Sequence, residues 1–238
     1  MNLLKAINNL IFPPRCIFCD GVLDFRTELN VCQRCMEIVR FPWGTRCSVC
    51  FRETYGIFGT DLCAECRTEM PYYDKVRSAF MYEGSVRDCV IRLKFHSRTD
   101  HAPAMGHFMS QLIGEDSRAD MLIPMPISKN RLKERGYNQS EFFTKHISKL
   151  TGIPMRTDLL FKIKDTPPQS GLKYSERAEN VKGAYKVDKP LEVKGKNIIL
   201  TDDVTTTRAT LNECARMLKK AGAKTVECIT FAVVKGDE

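Results

Sequence analysis

The spacing of apolar residues changes several times along the chain, and each change predicts an element. Ile198-Ile199-Leu200 is an unbroken β-rich run, the pattern of a parallel strand covered on both faces. From Leu211 onward the period is helical, with Cys214, Ala215 and Leu218 on one face and Gly222 where the helix would stop. Upstream, residues 76–82 read as a strand and residues 85–95 as a helix whose Val86, Cys89, Val90 and Leu93 share a face. Residues 102–113 read as a second helix, 121–126 as a strand stopped by prolines, 140–150 as a helix and 224–234 as a closing strand. This alternation predicts an α/β fold, a mainly parallel sheet with helices on both faces.

Chemistry collects where the central strand meets the next helix. Asp202 and Asp203 follow the apolar run, and Thr205, Thr206, Thr207, Arg208, Ala209 and Thr210 lead into the helix. Open α/β sheets bind ligands beyond the carboxyl ends of strands, where loop amides and a helix N-terminus attract anions. A carboxylate pair beside such a cradle suits an oxygen-rich ligand. The acids accept from sugar hydroxyls or hold Mg²⁺, while N–H groups and Thr hydroxyls hold a phosphate. The plainer alternative is that the threonines cap the helix and the acids form a solvated turn.

Two further segments bear on that site. Lys129, Arg131, Lys133 and Arg135 concentrate positive charge just past the strand 121–126, and Arg131 and Arg135 are the candidates for gripping a pyrophosphate. An exposed basic helix is the bland reading, but Gly136 followed by Tyr137, Asn138 and Gln139 sets a turn and amide side chains before the next helix. Residues 166–185 are polar and Pro/Gly-punctuated, as expected of a mobile lid from which Gln169, Arg177 and Asn180 reach across the site. Lys94 is read as a helix C-terminal cation, with contact to a phosphate the alternative, and His96, His101 and His107 as structural.

The amino-terminal third follows another rule. Cys16/Cys19, Cys32/Cys35, Cys47/Cys50 and Cys63/Cys66 form C-x-x-C knuckles separated by 12, 11 and 12 residues. Each knuckle presents two thiolates from one turn, so the eight cysteines predict two structural Zn²⁺ sites, with consecutive pairing expected and a cross-braced scheme left open. Metal would supply the folding free energy of so small a segment. The knuckles end near Met70-Pro71, which divides the chain into a double zinc ribbon, residues 1–71, and an α/β domain, residues 72–238.

Arginines interleaved with Phe18, Phe25, Phe41, Trp43, Phe51 and Tyr55 between the knuckles suit single-stranded nucleic acid; the alternative is that the aromatics form the ribbons' small core. A net charge of +8 favours polyanion partners. No apolar run approaches the ~18 to 20 residues of a membrane span. The first twelve residues lack the pattern of an export signal, so a reducing cytoplasm, zinc rather than disulfides, is expected. Leu3, Leu4, Ile7, Leu10 and Ile11 fit a short amphipathic helix, with packing on the protein its first use and peripheral membrane contact its second.

The stretch Asp202-Asp203-Val204-Thr205-Thr206-Thr207-Arg208-Ala209-Thr210 resembles the PRPP-binding signature of type I phosphoribosyltransferases. That resemblance implies that Asp202 and Asp203 bind the ribose hydroxyls of 5-phosphoribosyl-1-pyrophosphate (PRPP) with Mg²⁺, and that residues 206–210 bind its 5-phosphate. It departs from the signature at Arg208, where the family has Gly, and at Thr206, where purine-salvage members carry an acid. Four knuckles, then Arg131-x-x-x-Arg135-Gly136-Tyr137-Asn138-Gln139, then Gln169, Leu172, Arg177, Asn180 and Gly183-Ala184, then the acid pair, together resemble the ComF/ComFC competence family. This implies a cytoplasmic protein of natural transformation that handles incoming single-stranded DNA alongside other DNA-translocation proteins. The alternatives are an active phosphoribosyltransferase on an unknown acceptor and a structural adaptor. An amidotransferase is disfavoured, because no cysteine near Met1 lies outside the knuckle pattern.

Overall fold

The computed structural model describes residues 13–24, 27, 29–54, 61–166 and 179–235. The predicted helix over the first twelve residues, Phe25, Tyr55, Gln169, Leu172 and Arg177 lie outside them. Six strands are described: β1 (Lys75–Met81), β2 (Met121–Pro124), β3 (Leu160–Lys162), β4 (Tyr185–Val187), β5 (Asn197–Thr205) and β6 (Thr225–Val233). The principal sheet runs β1-β6-β5-β2 with every pair parallel, and β3 and β4 form a separate antiparallel hairpin.

The helices are α1 (Gln33–Ile38), α2 (Ala64–Thr68), α3 (Gly84–Phe95), α4 (Ala102–Ser110), α5 (Lys129–Arg135), α6 (Gln139–Thr151), α7 (Pro190–Val193) and α8 (Ala209–Lys220). Alternation of side chains along each strand splits the interior into two cores. On one face Leu122, Ile199, Ile229 and Phe231 meet Val86, Cys89, Val90 and Leu93 of α3, Met105 and Met109 of α4, and Phe143 and Ile147 of α6. On the other, Ile123, Ile198, Leu200 and Val226 meet Leu211, Cys214, Ala215 and Leu218 of α8, with Leu160 and Tyr185 of the hairpin. The helical faces are those expected from the residue spacing.

β5 is longer than its apolar run suggests, because the neighbouring β6 extends to Val233. Asp202 pairs with Thr230, Val204 with Ala232 and Thr205 with Val233, so the acids belong to the strand rather than to the loop beyond it.

The cysteine knuckles are not suspended apart from this sheet. Cys16, Ile17, Phe18 and Cys35 belong to the core on the α3/α4/α6 face, while Cys47, Cys50, Cys63 and Cys66 belong to the core under α8. Phe18 is buried against Phe80, their ring centres 5.5 Å apart, and Phe41 lies 5.1 Å from Phe80. These two aromatics therefore follow the core reading, whereas Trp43 is 77% exposed. α3 reaches the first knuckle through Arg92, whose guanidinium donates to the Ile17 and Phe18 carbonyls at 2.8 and 2.6 Å.

Candidate ligand cleft and metal centres

The carboxyl end of β5 opens into a cleft of about 1120 Å³ lined by Asp202, Asp203, Thr206, Arg208 and Thr210, with Lys94, Arg131, Arg135, Gln139, Lys162 and Tyr185 among the other walls. Because consecutive strand residues face opposite ways, the two acids meet different neighbours. Asp203 is buried; Lys94 Nζ of α3 donates to its Oδ1 at 2.6 Å and Gln139 Nε2 of α6 to its Oδ2 at 2.9 Å. Asp202 is half-buried, and its Oδ1 accepts from the backbone N–H of Asp203 at 2.9 Å. Burial, and then the adjacent Asp203 charge, pushes the Asp202 carboxyl up to about 7, against the opposing pull of Lys94. A site that makes a carboxylate this uncomfortable gains from a divalent cation or from hydroxyl donors.

Beyond β5 the chain turns at residues 206–208 and enters α8. No side-chain hydrogen bond caps the first turn of α8, so the threonines do not act as N-caps. The hydroxyls of Thr205 and Thr207 are buried without a partner among the described residues, while Thr206 and Thr210 line the cleft. Ala209 opens the helix and is not among the lining residues. Arg208 takes φ +65°, ψ 1°, the left-handed conformation for which glycine is suited. Its side chain goes neither to bulk solvent nor to the turn's amides: Nε donates to the Cys50 carbonyl at 2.6 Å and Nη1 to the Thr206 carbonyl at 3.0 Å.

Arg131 and Arg135 reach the cleft from α5, which Ser128 caps by accepting from Arg131 N–H at 3.4 Å. The Arg135 guanidinium lies 5.4 Å from the ring centre of Phe95, which is 69% exposed, and donates to Gln139 Oε1. Asn180 lies in a helical turn at residues 179–181 and is not among the residues lining the cleft. The base of that segment is fixed by Glu213 of α8, which accepts from the Gly183 N–H at 2.8 Å.

Sequence reasoning undervalued Lys94. Its place at a helix end was visible, but its bond to an acid 109 residues away was not. Lys162 and Tyr185, with the ammonium 5.6 Å from the ring centre, are likewise cleft residues without a local signal. The ribbon contributes Arg52 and Glu65, joined at 2.6 Å.

The cysteine sulfurs gather as consecutive knuckles, Cys16, Cys19, Cys32 and Cys35 in one cluster and Cys47, Cys50, Cys63 and Cys66 in the other, each within 4.8 Å. Cys19 Sγ lies 3.8 Å from Cys32 Sγ, and Cys50 Sγ 3.5 Å from Cys63 Sγ. A Zn–S bond of ~2.3 Å in a tetrahedron places its sulfurs roughly 3.8 Å apart, so both clusters fit the ion. Burial raises the Cys47 thiol, but N–H groups of Cys50, Cys63 and Val49 outweigh it and bring it down to about 7, whereas burial pushes the Cys50 thiol up to about 11.

The phosphoribosyl transferase domain family matches residues 140–237, a stretch holding the acid pair and α8 but beginning after Arg131 and Arg135. Competence protein F of Haemophilus influenzae is 27% identical over 90% of this chain and 94% of its own length. Competence protein ComFC of Bacillus subtilis is 26% identical over 91% of this chain and 93% of its own. Over most of its length the chain is thus similar to competence proteins of the ComF/ComFC kind. DNA utilization protein YhgH of Escherichia coli (strain K12) is a further relative, 26% identical over 84% of this chain and 96% of its own. The chain combines a phosphoribosyltransferase-like parallel sheet with two four-cysteine clusters. Among the described residues no helix is long and apolar enough to cross a membrane.

Proposed function

We propose that this chain is a competence-type protein of DNA uptake whose cleft binds a PRPP-type ligand with Mg²⁺ and whose cysteine clusters each hold a structural Zn²⁺. The observation that carries the ligand assignment is the acid pair held by β6 at the end of β5, facing an α8 start with no side-chain cap. Asp202 and Asp203 take the ribose hydroxyls and the metal, with Mg²⁺ relieving the repulsion between them. The turn and helix start, Thr205 to Thr210, take the 5-phosphate through backbone N–H groups and the Thr206 and Thr210 hydroxyls. Arg131 and Arg135, which line the cleft, take the pyrophosphate. The residues present offer oxygen donors to a hard cation and cations to a pyrophosphate.

The printed names of the relatives, competence protein and DNA utilization protein, support a DNA-handling role, as does a net charge of +8. Trp43, exposed near Arg40 and Arg46, offers a flat surface for an unstacked base of single-stranded DNA. The setting is cytoplasmic, with other DNA-translocation proteins as partners. A second reading, an active phosphoribosyltransferase on an unidentified acceptor, is favoured by the exposed Phe95 ring beside Arg135 on the cleft wall, a place for a planar acceptor.

Calorimetric titration of PRPP against the wild type and the Asp202→Asn/Asp203→Asn double variant tests the cleft. Binding lost in the variant supports it, and unchanged affinity refutes it. Affinity for single-stranded DNA that is insensitive to salt would remove the phosphate contacts on which the DNA role depends.

A further inference from the structure

We propose that Arg208 is a positioning residue that makes the order of the phosphate-binding turn depend on the second metal centre, Cys47/Cys50/Cys63/Cys66, and not on the first. The claim about ligand affinity rests on the cleft reading above; the mechanical claim does not.

Arg208 is the residue immediately before α8 and adopts a left-handed backbone, a conformation L side chains rarely take, so its place must be fixed by its surroundings. Those surroundings are a metal-binding knuckle. The side chain is buried at 7% exposure, and it spends its guanidinium on two carbonyls, one in its own turn at Thr206 and one at Cys50, 158 residues away. Cys50 also carries one of the four converging sulfurs, so a metal ion that holds Cys50 Sγ holds the peptide to which Arg208 is bonded. The adjacent Val49 carbonyl accepts from Val76 N–H of β1 at 2.7 Å, which ties the same knuckle to the sheet that carries the acid pair. Metal, knuckle, guanidinium and turn therefore form one continuous path to residues 206–210.

The first centre provides an internal control. It too is held by an arginine on knuckle carbonyls, but that residue is Arg92 of α3, which has no bond to the turn. The first cluster is also the more open, with Cys19 exposed and Cys32 half-buried, whereas all four cysteines of the second are buried. The first ion is thus expected to leave before the second under a chelator, an order that cysteine-to-alanine variants of each cluster check independently.

Hydrogen exchange of residues 205–211 in the full, zinc-loaded chain tests the proposal. With both ions bound, Arg208→Gly keeps a backbone suited to the left-handed turn but loses the tether. Its turn amides are expected to exchange at least ~10-fold faster than in the wild type, while Arg92→Ala leaves them within ~2-fold. In the wild type, removing the first equivalent of zinc leaves the turn unchanged and removing the second accelerates it. In Arg208→Gly the second removal adds nothing further at this segment. Equal exchange in loaded wild type and Arg208→Gly overturns the proposal, as does a wild-type turn that loosens with the first equivalent. If chelation unfolds the chain, the comparison of loaded variants still decides. PRPP titration is read separately: a tether demonstrated by exchange in a protein that binds no PRPP sinks the ligand reading and leaves the positioning role standing.

Discussion

Asp202→Asn isolates the electrostatic tension in the ligand-free cleft. The Asp202 carboxyl is raised from 3.8 to about 7 by burial and by Asp203, so between those values the folded chain binds a proton that the unfolded chain has lost. Stability from this group is fully present below pH 3.8, declines as pH rises and is gone above about 7. At about 1.4 kcal/mol per pH unit, the decline between pH 5.5 and 7 is ~2 kcal/mol. Asparagine keeps the shape and removes the titration. Urea unfolding of zinc-loaded protein, free of Mg²⁺ and PRPP, should find the variant gaining on the wild type by ~2 kcal/mol from pH 5.5 to 8, with no further gain above pH 8. Saturating Mg²⁺ should narrow the gap at pH 8, since the cation neutralises the pair only when both acids are present. A wild-type-minus-variant difference that stays flat from pH 5.5 to 8.5 would refute the reasoning.

Two further perturbations probe the scaffold. His101 is buried with Nδ1 3.6 Å from Cys89 Sγ, and burial pulls its pKa from 6.5 to about 4, so it contributes stability at neutral pH that is lost as pH falls. Relative to His101→Asn, the wild type should lose ~1 kcal/mol between pH 6.5 and 5.5 in urea unfolding; parallel pH profiles would contradict this. Gly106 sits where α4 meets α6, and a Cβ there would stand 2.7 Å from His146 Cβ and 2.8 Å from the Phe143 carbonyl. Gly106→Ala should therefore cost ~1–3 kcal/mol and lower Tm by several degrees; an unchanged Tm would mean the helices separate freely.

Much of the scaffold could be read locally. Val86, Cys89, Val90 and Leu93 share a buried face because helical spacing alone determines which side chains lie together. That each knuckle presents two sulfurs from one turn was likewise local, but spacing left consecutive and cross-braced pairing both open, and the fold chose the consecutive one. Partners distant in sequence left no such trace. Nothing around Phe18 indicates that it packs on Phe80 and Phe231, and nothing around Arg208 points to Cys50. Periodicity reports the face a residue occupies, not what covers it. The acids' membership of β5 was hidden for a related reason, because it depends on how far β6 extends beside them. Lys94 shows the same limit at the cleft: its charge satisfies the last turn of a helix as well as it satisfies Asp203, and only tertiary structure chooses.

The central claim is that the cleft at the end of β5 recognises a sugar pyrophosphate through its acid pair and the start of α8. Calorimetric titration of PRPP into the zinc-loaded wild type, with and without Mg²⁺, tests it most directly. Saturable heat at one site per chain, with tighter binding when Mg²⁺ is present, is the predicted result. Absence of heat in both titrations, from protein whose zinc content and fold are intact, would contradict it.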